Sequence, residues 1–106
     1  MADQRACLFG YVTANDAALQ RVYDSLIAEL RRSARVARGA PDPPTVRRLR
    51  VEQRTWVNTR DRACTREVPP GSVPLWAQPL SECFARMSRA RAAELDSALS
   101  RARGER

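Results

Sequence analysis

The chain of 106 residues has no histidine, no lysine, only four glycines and no apolar run of membrane-spanning length. Each absence removes a class of function. Without imidazole there is no side chain that titrates near neutrality by default, so serine–histidine and cysteine–histidine hydrolase sites are excluded. The three cysteines stand apart at Cys7, Cys64 and Cys83 with no CxxC pair, a spacing unlike a zinc framework. The glycines form neither the dinucleotide-binding nor the P-loop pattern, which leaves nothing to cradle a phosphate. No cofactor and no metal are therefore expected. The opening MADQRAC carries no apolar stretch of signal-peptide length, and nothing later approaches the roughly 20 apolar residues of a transmembrane helix. Two readings follow: a cytosolic protein, or a mature secreted domain whose leader has been replaced by Met1.

What is present is 43% apolar and 29% charged, the balance of a soluble globular domain. Its length suits one domain, here residues 1–106. Arginine is the sole basic residue, and 19 arginines against 12 acids leave a net charge of +7. The surplus is spread along the sequence. Residues 1–40 carry six arginines against four acids, 41–70 seven against four, and 71–106 six against four.

The periodicity is helical throughout. From Asn15, the residues Leu19, Val22, Tyr23, Leu26, Ile27 and Leu30 form one stripe of a 3.6-residue helix. Thr13 or Asn15 is the expected cap, and Gly39 the expected stop. Three prolines in Ala40–Pro44 make a linker. A second stripe, Val46, Leu49, Gln53, Trp56, Val57, Arg60 and Cys64, predicts a helix ending near Arg66 or Glu67. Four prolines and a glycine then mark Val68–Pro79 as an irregular loop. A third helix is expected to start with Ser81 as its cap, or a few residues earlier, with Leu80, Phe84, Met87, Arg91, Leu95, Ala98 and Leu99 on one side and a fraying RARGER tail. No strand pattern competes. The fold class is all-α: a small three-helix bundle, a helical hairpin plus a third helix.

Three segments together resemble the LprI-type lysozyme-inhibitor family of small secreted bacterial domains, and the resemblance spans nearly the whole chain. Asp16, Leu19, Tyr23 and Leu26 match a D-x-x-L-N-x-x-Y-x-x-L helix, with Gln20 in place of asparagine. Leu49, Gln53, Trp56, Arg60, Asp61 and Cys64 match L-x-x-x-Q-x-x-W-x-x-x-R-D-x-x-C, the most specific of the three. Cys83, Arg91, Glu94 and Leu95 match the closing C-x(7)-R-x-x-E-L helix. Family members commonly carry a further upstream cysteine, so Cys7 is left without an assigned partner.

The signature residues have physical consequences. Trp56 and Arg60 share a helix face, which allows the guanidinium to lie across the indole. Arg60 and Arg91 fall on otherwise apolar stripes, so each needs a carboxylate or carbonyl, with Asp16, Glu52 and Glu94 the candidates. This cluster is either a binding site or a buried network that fixes helix register. Given the resemblance, Cys64 and Cys83 at one end of the bundle are expected to form a disulfide across the proline-rich loop, which implies an oxidising compartment and a periplasmic or secreted location. Two buried free thiols are the alternative. A disulfide would pin the loop at both ends and preorder Arg66, Leu75 and Trp76 as partner-binding residues. Trp76 has a second option, folding back to cap the core.

The resemblance implies a non-enzymatic protein that binds and inhibits lysozyme or a related muramidase by occluding its cleft. A small basic module for nucleic acid or an anionic envelope polymer is the alternative. Nucleic-acid binding predicts arginines clustered on one helix face, which the even segment counts do not suggest. Catalysis by paired carboxylates drawn from Asp16, Glu52 and Asp61 is the remaining option, and the acid–base inventory serves it poorly.

Overall fold

The computed structural model describes residues 2–104, with side chains described at Ala14 and from Asp16 to Gly104. The described residues form three helices and no strand, and 77% of the chain is helical. These are α1 (Ala2–Ser33), α2 (Pro44–Glu67) and α3 (Ala77–Ala102). Cys7 lies outside the described side chains, and with it the question of its partner.

α1 begins well before the expected cap and runs through Thr13 and Asn15. Alanines at positions 2, 6 and 14 favour helix by propensity, without the apolar stripe that reveals the rest. It also ends before Gly39. Arg35 takes a left-handed conformation at φ 57. Around it Val36 N–H donates to the Arg31 carbonyl at 3.1 Å and Arg35 N–H to the Arg32 carbonyl at 3.0 Å. That pair of bonds is a Schellman stop with arginine where glycine is usual. Gly39, at φ 82, instead shapes the next turn, closed by Ala40 N–H to the Ala37 carbonyl at 3.0 Å.

Arg31 holds this connection together. Its guanidinium donates to the Ala37 carbonyl at 3.1 Å, the Ala40 carbonyl at 2.9 Å and Asp42 Oδ1 at 2.7 Å. Arg50 reaches the other Asp42 oxygen at 2.8 Å, so one carboxylate ties the end of α1 to the first turns of α2. The Arg50 hydrogen bond is the main influence holding the Asp42 carboxyl below its ordinary 3.8, with burial opposing and Arg31 adding to the lowering. Pro44 opens α2 at the position where a missing N–H costs nothing.

α3 begins at Ala77, four residues ahead of Ser81. Ser81 is thus not a cap. Its hydroxyl donates back to the Ala77 carbonyl at 2.8 Å within the helix. The RARGER segment does not fray at its start: the helix continues to Ala102, and Gly104 follows at φ 75.

The helices run up, down and up. Asp16 meets Ser88, and beyond that point α1 and α3 share one core, so they are parallel and α2 opposes both. α1 packs most extensively on α3. On α3 the buried Ser81, Ala85 and Ser88, continued by Ala92, are small and recur at helical spacing, which permits close approach of a neighbouring helix. Leu19, Tyr23, Leu26 and Ile27 of α1 bury against Val46 and Leu49 of α2 and Leu95 and Leu99 of α3. At the opposite end Cys64, Trp76, Ala77, Leu80, Cys83 and Phe84 form a second cluster, with Val68 and Met87 packed against it.

Candidate functional site

The two apolar clusters meet at a buried cation. Arg60 is 4% exposed, on the inner face of α2. Its Nη1 donates to Asp16 Oδ1 of α1 at 2.7 Å and to Ser88 Oγ of α3 at 3.2 Å, and its Nε donates to Asp61 Oδ1 at 3.0 Å. The guanidinium carbon lies 5.1 Å from the ring centroids of both Trp56 and Phe84. One cation therefore touches all three helices, with hydrogen bonds to each and its guanidinium carbon over two aromatic rings. Asp16 and Asp61 keep about half their side-chain surface, at 41% and 48%, so the desolvation cost falls mainly on the arginine.

Arg91 makes a second junction nearer the other end of the bundle. Its Nε donates to Gln53 Oε1 at 2.9 Å, joining α3 to α2, and its Nη1 donates to Glu94 Oε2 at 3.1 Å. Its Nη2 is buried without a hydrogen-bond partner. Of the acids considered as partners, Asp16 and Glu94 make these contacts. Glu52 stands exposed and makes no ion pair among the described residues. Tyr23 is buried in the α1 core, where its hydroxyl and, more strongly, Asp42 push the Arg50 pKa up. Asp16, Asp61 and Glu52 do not form a carboxylate pair, since the first two share Arg60.

Phe84, which the sequence places on the apolar stripe without linking it to Arg60, and Ser88, which apolar periodicity does not pick out, complete the Arg60 junction. A signal for Ser88 was available in its spacing: it lies one helical turn after Phe84, a hydroxyl in the inward stripe of α3.

The other surface feature is the loop between α2 and α3. Cys64 and Cys83 are joined with S–S 2.08 Å and Cα–Cα 5.6 Å, closing a separation of 19 residues. Trp76 takes the core-capping option: at 7% exposed it packs in the cluster around the disulfide. Its indole is therefore not an exposed surface of the loop. Leu75 points out at 74% exposed and Val73 at 50%, and Arg66 on the last turn of α2 is also exposed. The loop is thus held at three points, Cys64, Trp76 and Cys83, and turns two apolar side chains to solvent between them.

None of the described helices is long and apolar enough to cross a membrane. No curated protein and no solved structure matches the chain. A family model does: the one described as Lysozyme inhibitor LprI matches residues 1–95, a span that contains the Arg60 and Arg91 junctions, the disulfide and the loop it closes. The chain belongs to the LprI lysozyme-inhibitor family.

Proposed function

We propose that this protein is an exported, non-enzymatic inhibitor that binds a lysozyme or related muramidase and blocks its glycan cleft with the loop between α2 and α3. Family membership over residues 1–95 carries this reading. The loop supplies a physical means. A stapled, proline-rich segment loses little conformational entropy on binding, so contacts made by Leu75 and Val73 would convert into affinity with a small ordering cost. Arg66 makes no ion pair among the described residues and stands beside the loop, where it would oppose the paired carboxylates that perform glycoside hydrolysis. Trp76 acts from beneath as an anchor. The disulfide supports export to an oxidising compartment.

The net charge of +7 disfavours long-range approach to a strongly basic lysozyme, so muramidases of neutral or acidic surface are the better targets. The test is a cell-wall lysis assay against muramidases of graded charge. Micromolar protein should slow at least one of them, and Leu75→Asp should weaken inhibition at least about tenfold, the scale of losing one interface anchor. If no muramidase is slowed, the inhibitor reading fails; if Leu75→Asp and Arg66→Ala inhibit like wild type, the loop is not the contact surface.

A further inference from the structure

An even distribution of arginine along the sequence does not prevent concentration in space. Arg47, Arg48, Arg54, Arg62 and Arg66 are all exposed on α2. At 100° per residue they fall on the outward side of the helix, opposite the buried Val46, Leu49, Arg60 and Cys64. From Arg47 to Arg66 the row runs about 28 Å at 1.5 Å per residue. The acids of α2 do not neutralise it. Asp61 is committed to Arg60 and Glu67 to Arg86 at 3.2 Å, and Glu52, one turn from Arg48 at the edge of the face, is a single acid against five arginines. Arg48, Arg54, Arg62 and Arg66 make no ion pair among the described residues, while Arg47 donates to the Asp42 carbonyl at 2.6 Å and leaves its charge uncompensated.

We infer that the outer face of α2 binds a flexible, single-chain phosphodiester polymer that carries no bases. The form of the face selects that chemistry. Its cations are spread along about 28 Å of the helix and lie within about 75° of its outward direction, matched to a ligand with charge repeated along its length. It lacks the apolar centre of a protein interface, since Val51, 54% exposed, is the one large apolar side chain on it. It has no aromatic side chain on which a base could stack, so nothing in it reads nucleotides. Guanidinium groups pair with phosphate oxygens in a bidentate manner, which suits an all-arginine row. The disulfide supports an oxidising compartment outside the cytosol, where nucleic acid is not the resident polyanion.

A chain of charge +7 will attract any polyanion weakly, so the experiment must separate the face from the total charge. Two triple variants of equal net charge do so: Arg48→Gln/Arg54→Gln/Arg62→Gln on the row, and Arg21→Gln/Arg89→Gln/Arg103→Gln on exposed positions of the other helices and just beyond α3. Binding of synthetic poly(glycerol phosphate) is measured against salt concentration. Five contacts on a single-chain polyanion give a slope of log K against log salt of about −3.5, and the two arginines left in the row variant give about −1.4. The row variant should lose affinity at least about tenfold at low salt while the other loses less than about twofold. Equal losses in the two variants, absence of binding by the wild type, or tighter binding of duplex DNA at equal phosphate concentration would each overturn the inference. Inhibition of lysis by the row variant is read in parallel. Its retention there keeps the outcome independent of the loop and its enzyme target.

Discussion

At the scale of single residues, Arg60 ties the bundle together by polar contacts that come from three helices at once. Arg60→Ala would remove the ring packing and leave Asp16 and Asp61 facing each other's field. The expected loss is about 2 to 3 kcal/mol, below the full cost of an orphaned buried charge because both carboxylates stay half-exposed. Urea unfolding checks it. Arg60→Lys should recover less than half of the loss, since a compact ammonium cannot present a flat face to two rings and donate in-plane to two carboxylates. Full recovery would mean that charge alone matters. The need for partners at Arg60 and Arg91 was legible in the sequence, because a guanidinium on an apolar stripe demands one. The identity of those partners was only partly legible: Asp16, Glu52 and Glu94 all lay within reach on spacing, and the superposition of helices decides among them. Trp76 shows the same limit. An aromatic in a proline-rich loop can cap a core or face solvent, and only the position of the disulfide below it settles which.

At the scale of elements, the connection between α1 and α2 depends on polar chemistry that periodicity does not report. The apolar stripe of α1 ends at Leu30, and the chain turns at Arg35 because Arg31 gathers two carbonyls and the Asp42 carboxylate. Arg35 pays the steric penalty of the left-handed region. Arg35→Gly should therefore stabilise the protein by about 0.5 to 1 kcal/mol, offset in part by the greater freedom of glycine in the unfolded chain. A melting temperature higher by a few degrees would report it, and a fall would mean that Arg35 has an unrecognised role. Asp42 makes the same connection sensitive to acid. Its folded pKa lies below 3.8, so the unfolded chain takes up its proton first as the pH falls. The stabilisation is complete above that value and is lost as pH drops through the lower folded value. Thermal melts between about pH 5 and pH 2 should show Asp42→Asn with a lower melting temperature at the upper end and a shallower decline. Parallel curves would exclude Asp42 as the source.

At the scale of the whole molecule, the bundle is fastened ionically at one end of α2 and covalently at the other. Replacing Cys64 and Cys83 together by alanine should cost about 3 kcal/mol by loop-closure entropy and, on the proposed function, weaken inhibition as well by freeing the loop. Chemical denaturation and the lysis assay, run on the same preparation, separate the two effects. An inhibitor unimpaired without the disulfide would show that loop order is not needed. The class of the fold was legible because three stripes of helical period separated by prolines allow few other arrangements. The parallel packing of α1 on α3 was not, since it rests on small residues whose value lies in what they let approach. That packing bears on how the chain is made. The most extensive interface joins the first helix to the last, so a growing or threading polypeptide gains little from α1 and α2 alone. Its contacts of longest sequence separation form only after α3 has emerged. Most of the tertiary structure is therefore gained late and at once, when the last helix docks on the first.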